Sequence, residues 1–255
     1  MSLLEAFLQL HVLALILTFV RIGTAVMIMP GVGDSFVPPN IRLYFALALS
    51  VVLMPIVAAK LPAPLPAGGV LVALIVSEFI VGAMIGTVAR IFMSITDTAG
   101  MIVSFQAGLA NAMLFNPQMA GQGSLMGAFM SITGATLLFM TDMHHLMIMG
   151  LTESYTRFPM GELPDTGGMA QVIIQSISSA FRIAAQMAAP FLILILVLYT
   201  AMGVLSKLMP TLQIFILAMP VQILLSLVIF TFAVSGMFLY FLDQYRDQIG
   251  TFLGG

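Results

Sequence analysis

The sequence predicts an all-α fold of the integral membrane class, built from long helical hairpins. Hydrophobic residues make up 61% of the chain and charged residues only 7%, where soluble domains carry roughly 25% charged residues. Mean hydropathy is +1.14, and apolar runs recur that reach the ~20 residues a helical span needs. The third observation lies in Lys207–Leu227, KLMPTLQIFILAMPVQILLSL. There one cation, two prolines (Pro210 and Pro220) and two glutamines (Gln213 and Gln222) interrupt apolar sequence. Proline removes a backbone donor that lipid cannot replace, and buried amides need partners. This segment is therefore expected to pack inside an assembly rather than serve as a simple anchor.

The elements follow in order. Ala6–Met29 is apolar and long enough to span, with His11 and Arg21 inside it. It has no basic n-region and exceeds the ~7–15 apolar residues of a signal peptide, so it is expected to stay in the mature protein. Pro30–Pro39, PGVGDSFVPP, is a glycine- and proline-punctuated loop centred on Asp34. Ile41–Ala59 is a second apolar segment. Lys60–Gly69 alternates prolines and reads as a stiff connector. Val70–Met93 is a third segment and contains Glu78 and Arg90.

From Thr98 to Thr141 no residue carries a formal charge. That stretch is about twice the length of one span, and Pro117, Gly121 and Gly123 interrupt it. It reads as helix, irregular loop, helix. After Asp142, His144 and His145, the stretch Glu153–Gly168 reads as a polar linker. Met169–Lys207 and Thr211–Gln248 read as two helices of roughly 57 Å each at 1.5 Å per residue. A hydrocarbon core of about 30 Å cannot hold such helices upright. They are expected either to kink at Pro190 and Pro220 or to stand partly outside the bilayer, covered by partner protein.

Charges at membrane depth are costly and should pair or face a polar cavity. Arg21, Glu78, Arg90, Asp97 and Lys207 are those charges. Glu78 and Arg90 are too far apart to pair within one helix, so each must find its partner on another helix or another subunit. Gly82 and Gly86, four residues apart in an apolar helix, mark a face where two backbones can approach closely.

Other chemistries are excluded or disfavoured. A net charge of −2 and no basic patch argue against a nucleic-acid partner. With no cysteine there is no disulfide, thiolate nucleophile or cysteine metal site. Gly31–Asp34 matches the GxGD string of intramembrane aspartyl proteases, but that chemistry needs a second, facing carboxylate, and no such aspartate is apparent. There is no Gly-x-Ser-x-Gly, His-Glu-x-x-His or Walker loop. Adjacent His144 and His145 are expected on different helix faces, a poor geometry for one metal. No catalytic residue, metal or cofactor is assigned.

Four stretches together resemble one family. Arg21–Pro55 is similar to its opening: an arginine in an apolar helix, a proline-bearing loop, then a helix that starts with an arginine. Glu78–Phe105 is similar in its glutamate, glycine-rich face and arginine, and Gln106–Gln118 in its central loop. Lys207–Leu227 matches its C-terminal signature. The family is FliR, with the related SctT or YscT-like secretion proteins: export-gate subunits of flagellar and injectisome type III secretion. Asn116, Gln213 and Gln222 depart from its commonest residues at their positions.

The resemblance implies a non-enzymatic subunit of the flagellar export gate, in the bacterial inner membrane at the basal body. It implies a helical export-gate ring shared with FliP-like and FliQ-like subunits, next to FlhB-like and FlhA-like components, with lipid around it and unfolded proteins in transit. Residues 1–168 would form FliP-like hairpins and 169–255 a FliQ-like hairpin. The loop within 106–124 would plug the channel, using Met113, Phe115, Asn116, Pro117, Met119, Gly121 and Gly123; methionine is adaptable, and apolar constrictions gate by dewetting. Arg21, Glu78, Gly82, Gly86, Arg90, Lys207, Pro210 and Pro220 would serve subunit packing or docking. The alternative is a stand-alone polytopic transporter or channel, with interrupted segments and deep charges marking a substrate site.

Overall fold

The structure is a computed structural model and describes residues 3–58, 68–109, 124–160, 164–209 and 214–254. Among the described residues every regular element is an α-helix: α1 (Leu3–Ile28), α2 (Pro39–Ala58), α3 (Gly69–Gln106), α4 (Leu125–Met140), α5 (Met143–Arg157), α6 (Thr166–Met187), α7 (Ala189–Leu208) and α8 (Ile214–Gly254). Five of them are long and apolar enough to cross a membrane: α1, α2, α3, α7 and α8. The all-α membrane-class expectation holds.

Two segment expectations change, and one of the two alternatives for the C-terminal helices is realised in part. The third segment does not stop at Met93, because α3 runs unbroken for 38 residues through Arg90 and Asp97. Isolated charges do not end a helix whose backbone ladder is intact, and neither proline nor a run of glycines interrupts this one before Gln106. The supposed linker from Glu153 is helical through Arg157, the last turn of α5. The long helix starting near Met169 divides at Ala188, just before Pro190, the first of the two expected kink sites. Pro190 has no amide to donate, and its ring crowds the carbonyl four residues back, so the ladder stops and restarts there. Pro220 does not have that effect, and α8 continues through it for 41 residues.

The chain forms two compact units: residues 1–92, 141–177 and 247–255 in one, residues 93–140 and 178–246 in the other. In the first, α1 and α2 form a hairpin whose core joins Ile22 and Val26 to Ala46 and Leu53. A second cluster brings Leu17, Val57, Leu74, Tyr155 and Met160 together, uniting α1, α2, α3 and α5.

In the second unit the C-terminal part of α3 runs antiparallel to α4. Their glycines touch: a Cβ on Gly100 would lie 2.5 Å from the Met126 carbonyl oxygen and 2.7 Å from Gly127 Cα. Gly134 repeats the close fit against Thr96. Phe230 of α8 stacks edge-on to Phe129 of α4 at 5.9 Å between ring centroids and also meets Phe191 of α7. Tyr240 of α8 donates to Gln186 of α6 at 2.7 Å.

Candidate functional site: the α1–α3 seam

Glu78, Gly82, Gly86 and Arg90 recur every four residues and share one face of α3. Each meets α1 in sequence order, so the two helices run parallel at this seam. A side chain on Gly82 would collide with the main-chain carbonyl of Arg21. One on Gly86 would lie 2.8 Å from the Ala25 carbonyl oxygen. The small-residue face has a partner, and it is α1.

The close approach delivers Glu78 to Arg21. The guanidinium makes a two-pronged pair, Nε to Oε2 at 2.5 Å and Nη2 to Oε1 at 2.8 Å. Both residues are 1% exposed. Arg21 also donates to the Ser154 hydroxyl at 3.2 Å and to the Phe158 carbonyl at 2.9 Å. Its Cζ lies 4.1 Å from the centre of the Tyr155 ring. A fork with five donors suits such a site, and lysine would not. Removing one member of such a pair costs about 3–5 kcal/mol, because the survivor is a buried, uncompensated charge. A cleft of about 240 Å³ opens beside the pair, lined by Arg21, Ser77, Glu78, Arg157 and Asp165 among others. Intramembrane charges characteristically face such polar space.

A second ion pair closes the other end of the seam. Arg90 Nη2 donates to Asp34 Oδ1 at 2.5 Å and Nη1 to the Ile28 carbonyl at 3.4 Å. Asp34 also accepts from the Gly31 amide at 2.8 Å. Gly31 sits at φ 84°, where glycine is strain-free. Arg42 ties the same turn down by donating to the carbonyls of Val37 and Gly33. The GxGD string is thus a stitched turn, with its carboxylate committed to an arginine.

Arg21 and Glu78 find each other within the chain, as the pairing rule for deep charges requires, and Arg90 and Asp34 pair within it at a partly exposed position. Sequence distance gave no means of choosing these partners, nor of adding Ser154, Tyr155 and Phe158 to the Arg21 shell. Asp97 approaches Gly127, at 2.8 Å from the position of a Cβ there. Lys207 is exposed in the last turn of α7, where a cation suits the helix C-terminus. Pro220 is exposed, while Gln222 is buried and donates to the Gln106 carbonyl. The imidazoles of His144 and His145 do not diverge: their centroids are 4.2 Å apart at the start of α5, where Asp142 has φ 57°. Pro210 and the loop positions Met113, Phe115, Asn116, Pro117, Met119, Gly121 and Gly123 lie outside the described residues.

Residues 12–248 match the family described as bacterial export proteins, family 1. The chain belongs to that family. The matched range takes in all four stretches on which the resemblance rested. The flagellar biosynthetic protein FliR of Caulobacter vibrioides is 38% identical over 245 residues, 96% of each chain. FliR of Bacillus subtilis is 27% identical over 93% of this chain and 92% of its own. The Yop proteins translocation protein T of Yersinia pestis is 32% identical over 154 residues, 60% of this chain and 59% of its own. This export-family chain therefore places an arginine–glutamate pair and a glycine seam between two of its membrane-class helices.

Proposed function

We propose that the chain is a non-enzymatic subunit of the flagellar type III protein export gate in the bacterial inner membrane. Its near full-length relation to a flagellar biosynthetic protein, 38% identical over 96% of both chains, carries this reading. In it, FliP-like and FliQ-like subunits share the ring, with residues 1–168 packing as FliP-like hairpins and 169–255 as a FliQ-like hairpin. FlhB-like and FlhA-like components adjoin the ring, and unfolded substrates pass through its centre. The exposed apolar faces of α7 and α8, including Leu196, Val197, Leu224 and Phe232, suit burial against subunits or lipid. The seam between α1 and α3 holds one wall of the subunit rigid while its outer faces dock.

The loop within 106–124 closes the channel before secretion, with Met113, Phe115 and Met119 as an apolar seal and Gly121 and Gly123 as bends. Deletion of the gene is expected to abolish motility, and the tagged chain to co-purify with two small hydrophobic subunits. Phe115→Ala and Met119→Ala in the assembled gate are expected to raise small-ion leakage several-fold. Unchanged conductance would count against the plug. Solute flux through the purified single chain would favour a stand-alone channel instead.

A further inference from the structure

Gln222 lies on α8 two residues after Pro220 and is only 5% exposed. Its amide nitrogen donates to the main-chain carbonyl of Gln106 at 2.8 Å. Gln106 is the last residue of α3. The final carbonyls of a helix have no partner in their own ladder, and in apolar surroundings water cannot easily supply one. The last turn is otherwise closed locally. The Ala107 amide returns to the Val103 carbonyl at 2.8 Å and the Gly108 amide to the Phe105 carbonyl at 3.1 Å. Gly108 takes φ 77°, the left-handed conformation that turns a chain out of a helix.

The α4 end is fastened by a different device. The Ser124 hydroxyl accepts from the Gly127 amide at 3.0 Å, an N-cap, and the Gly100–Gly127 contact seats α4 on α3. The two roots of the connection between α3 and α4 are therefore held independently. The α8 side chain that reaches the first root does so by a hydrogen bond to the helix end, whereas Phe230 of α8 meets α4 by ring packing at Phe129.

We propose that Gln222 is a positioning residue: it caps the C-terminus of α3 from α8 and so fixes where the chain leaves that helix. What the position requires is a hydrogen-bond donor, not an amide as such. A lysine there would also donate to the carbonyl, and its charge is favoured at a helix C-terminus. A methionine fills similar space and donates nothing. An ionised glutamate only accepts and meets the negative end of the helix dipole, whereas a protonated one carries an O–H that can donate as the amide does. The consequence for channel closure rests on the plug reading above; the cap itself does not.

The test is hydrogen–deuterium exchange on the assembled gate in lipid nanodiscs, comparing wild type with Gln222→Met, Gln222→Lys and Gln222→Glu. Gln222→Met is expected to speed exchange at the Ala107 and Gly108 amides about tenfold, the effect of losing one buried hydrogen bond. Exchange across 124–140 should not change. Gln222→Lys should behave as wild type, and Gln222→Glu as Gln222→Met at alkaline pH, where the carboxyl is ionised, but as wild type at acid pH, where its O–H donates. Unchanged exchange in Gln222→Met, equal acceleration in Gln222→Lys, or acceleration spread evenly over α3 and α4 overturns the cap. If Gln222→Met does not assemble, the Lys and Glu variants decide at alkaline pH, after correction for the intrinsic exchange rate: similar exchange in both overturns the cap, and faster exchange in Glu supports it. Ion leakage through the same complexes separates the two ideas. Faster exchange without added leakage strikes the plug and leaves the cap standing, whereas unchanged exchange removes the cap whatever the leakage.

Discussion

Gly82→Ala is expected to destabilise the protein, against the usual sense of glycine-to-alanine changes in helices. The size of the effect follows from the seam. At neighbouring Gly86 an added Cβ would lie 2.8 Å from both the Ala25 carbonyl oxygen and Ile28 Cβ. Non-bonded carbon contacts are comfortable at about 3.5–4.0 Å, so α1 and α3 would have to part by roughly 0.7–1.2 Å. At Gly82 the obstacle is the Arg21 main chain itself, which has no rotamer to change. Parting the helices there stretches the adjacent Arg21–Glu78 bonds, now 2.5 and 2.8 Å.

Overpacking costs about 1–3 kcal/mol, partial opening of the ion pair adds about 1–2, and alanine's better helix propensity returns about 1, leaving roughly 1–4 kcal/mol of net loss. The same change at Gly236, where nothing lies within 4 Å of the new Cβ, keeps only the helix term and should stabilise by up to about 1 kcal/mol. Size-exclusion chromatography after heating, on detergent-extracted protein, reads both. The Gly82→Ala midpoint should fall by about 2–16 °C at roughly 2–4 °C per kcal/mol. A Gly82→Ala protein as heat-resistant as Gly236→Ala would refute the close-contact reasoning.

The same assay applied to a double-mutant cycle should show Glu78→Leu and Arg21→Met each costing about 3–5 kcal/mol, while the double variant recovers a large part of that loss. Additive losses would mean that the two side chains do not depend on each other. Arg90→Ala removes a partly exposed pair, with the arginine side chain 45% exposed. It should cost no more than about 1 kcal/mol, less at high salt. Ser124→Ala deletes the α4 N-cap and should cost about 1 kcal/mol, with faster amide exchange at Gly127 as its local signature.

Hydrophobic content and spacing of turn residues made the helical membrane class and the first two segments legible in the chain, because lipid leaves a spanning backbone few alternatives to a helix. The four-residue recurrence of Glu78, Gly82, Gly86 and Arg90 was likewise written in the sequence, since helical period alone puts them on one face. So was the need for partners: Arg21 and Glu78 could not be left alone in an apolar chain, and neither could Gln222. Pro190 announced a break for a reason internal to proline. Pro220, chemically the same, produced none, and whether the neighbours of a proline accommodate it is not a local property.

Tertiary structure alone decided who met whom. Arg21 and Glu78 are 57 residues apart, Arg90 and Asp34 are 56 apart, and Gln222 and Gln106 are 116 apart. Those pairings depend on the parallel placement of α1 against α3 and on the return of α8 past the end of α3. A sequence states the cost of an unpaired charge or carbonyl, because desolvation is a property of the group. It does not state the remedy, because the remedy is a distance, and distances between remote residues are set when the helices pack.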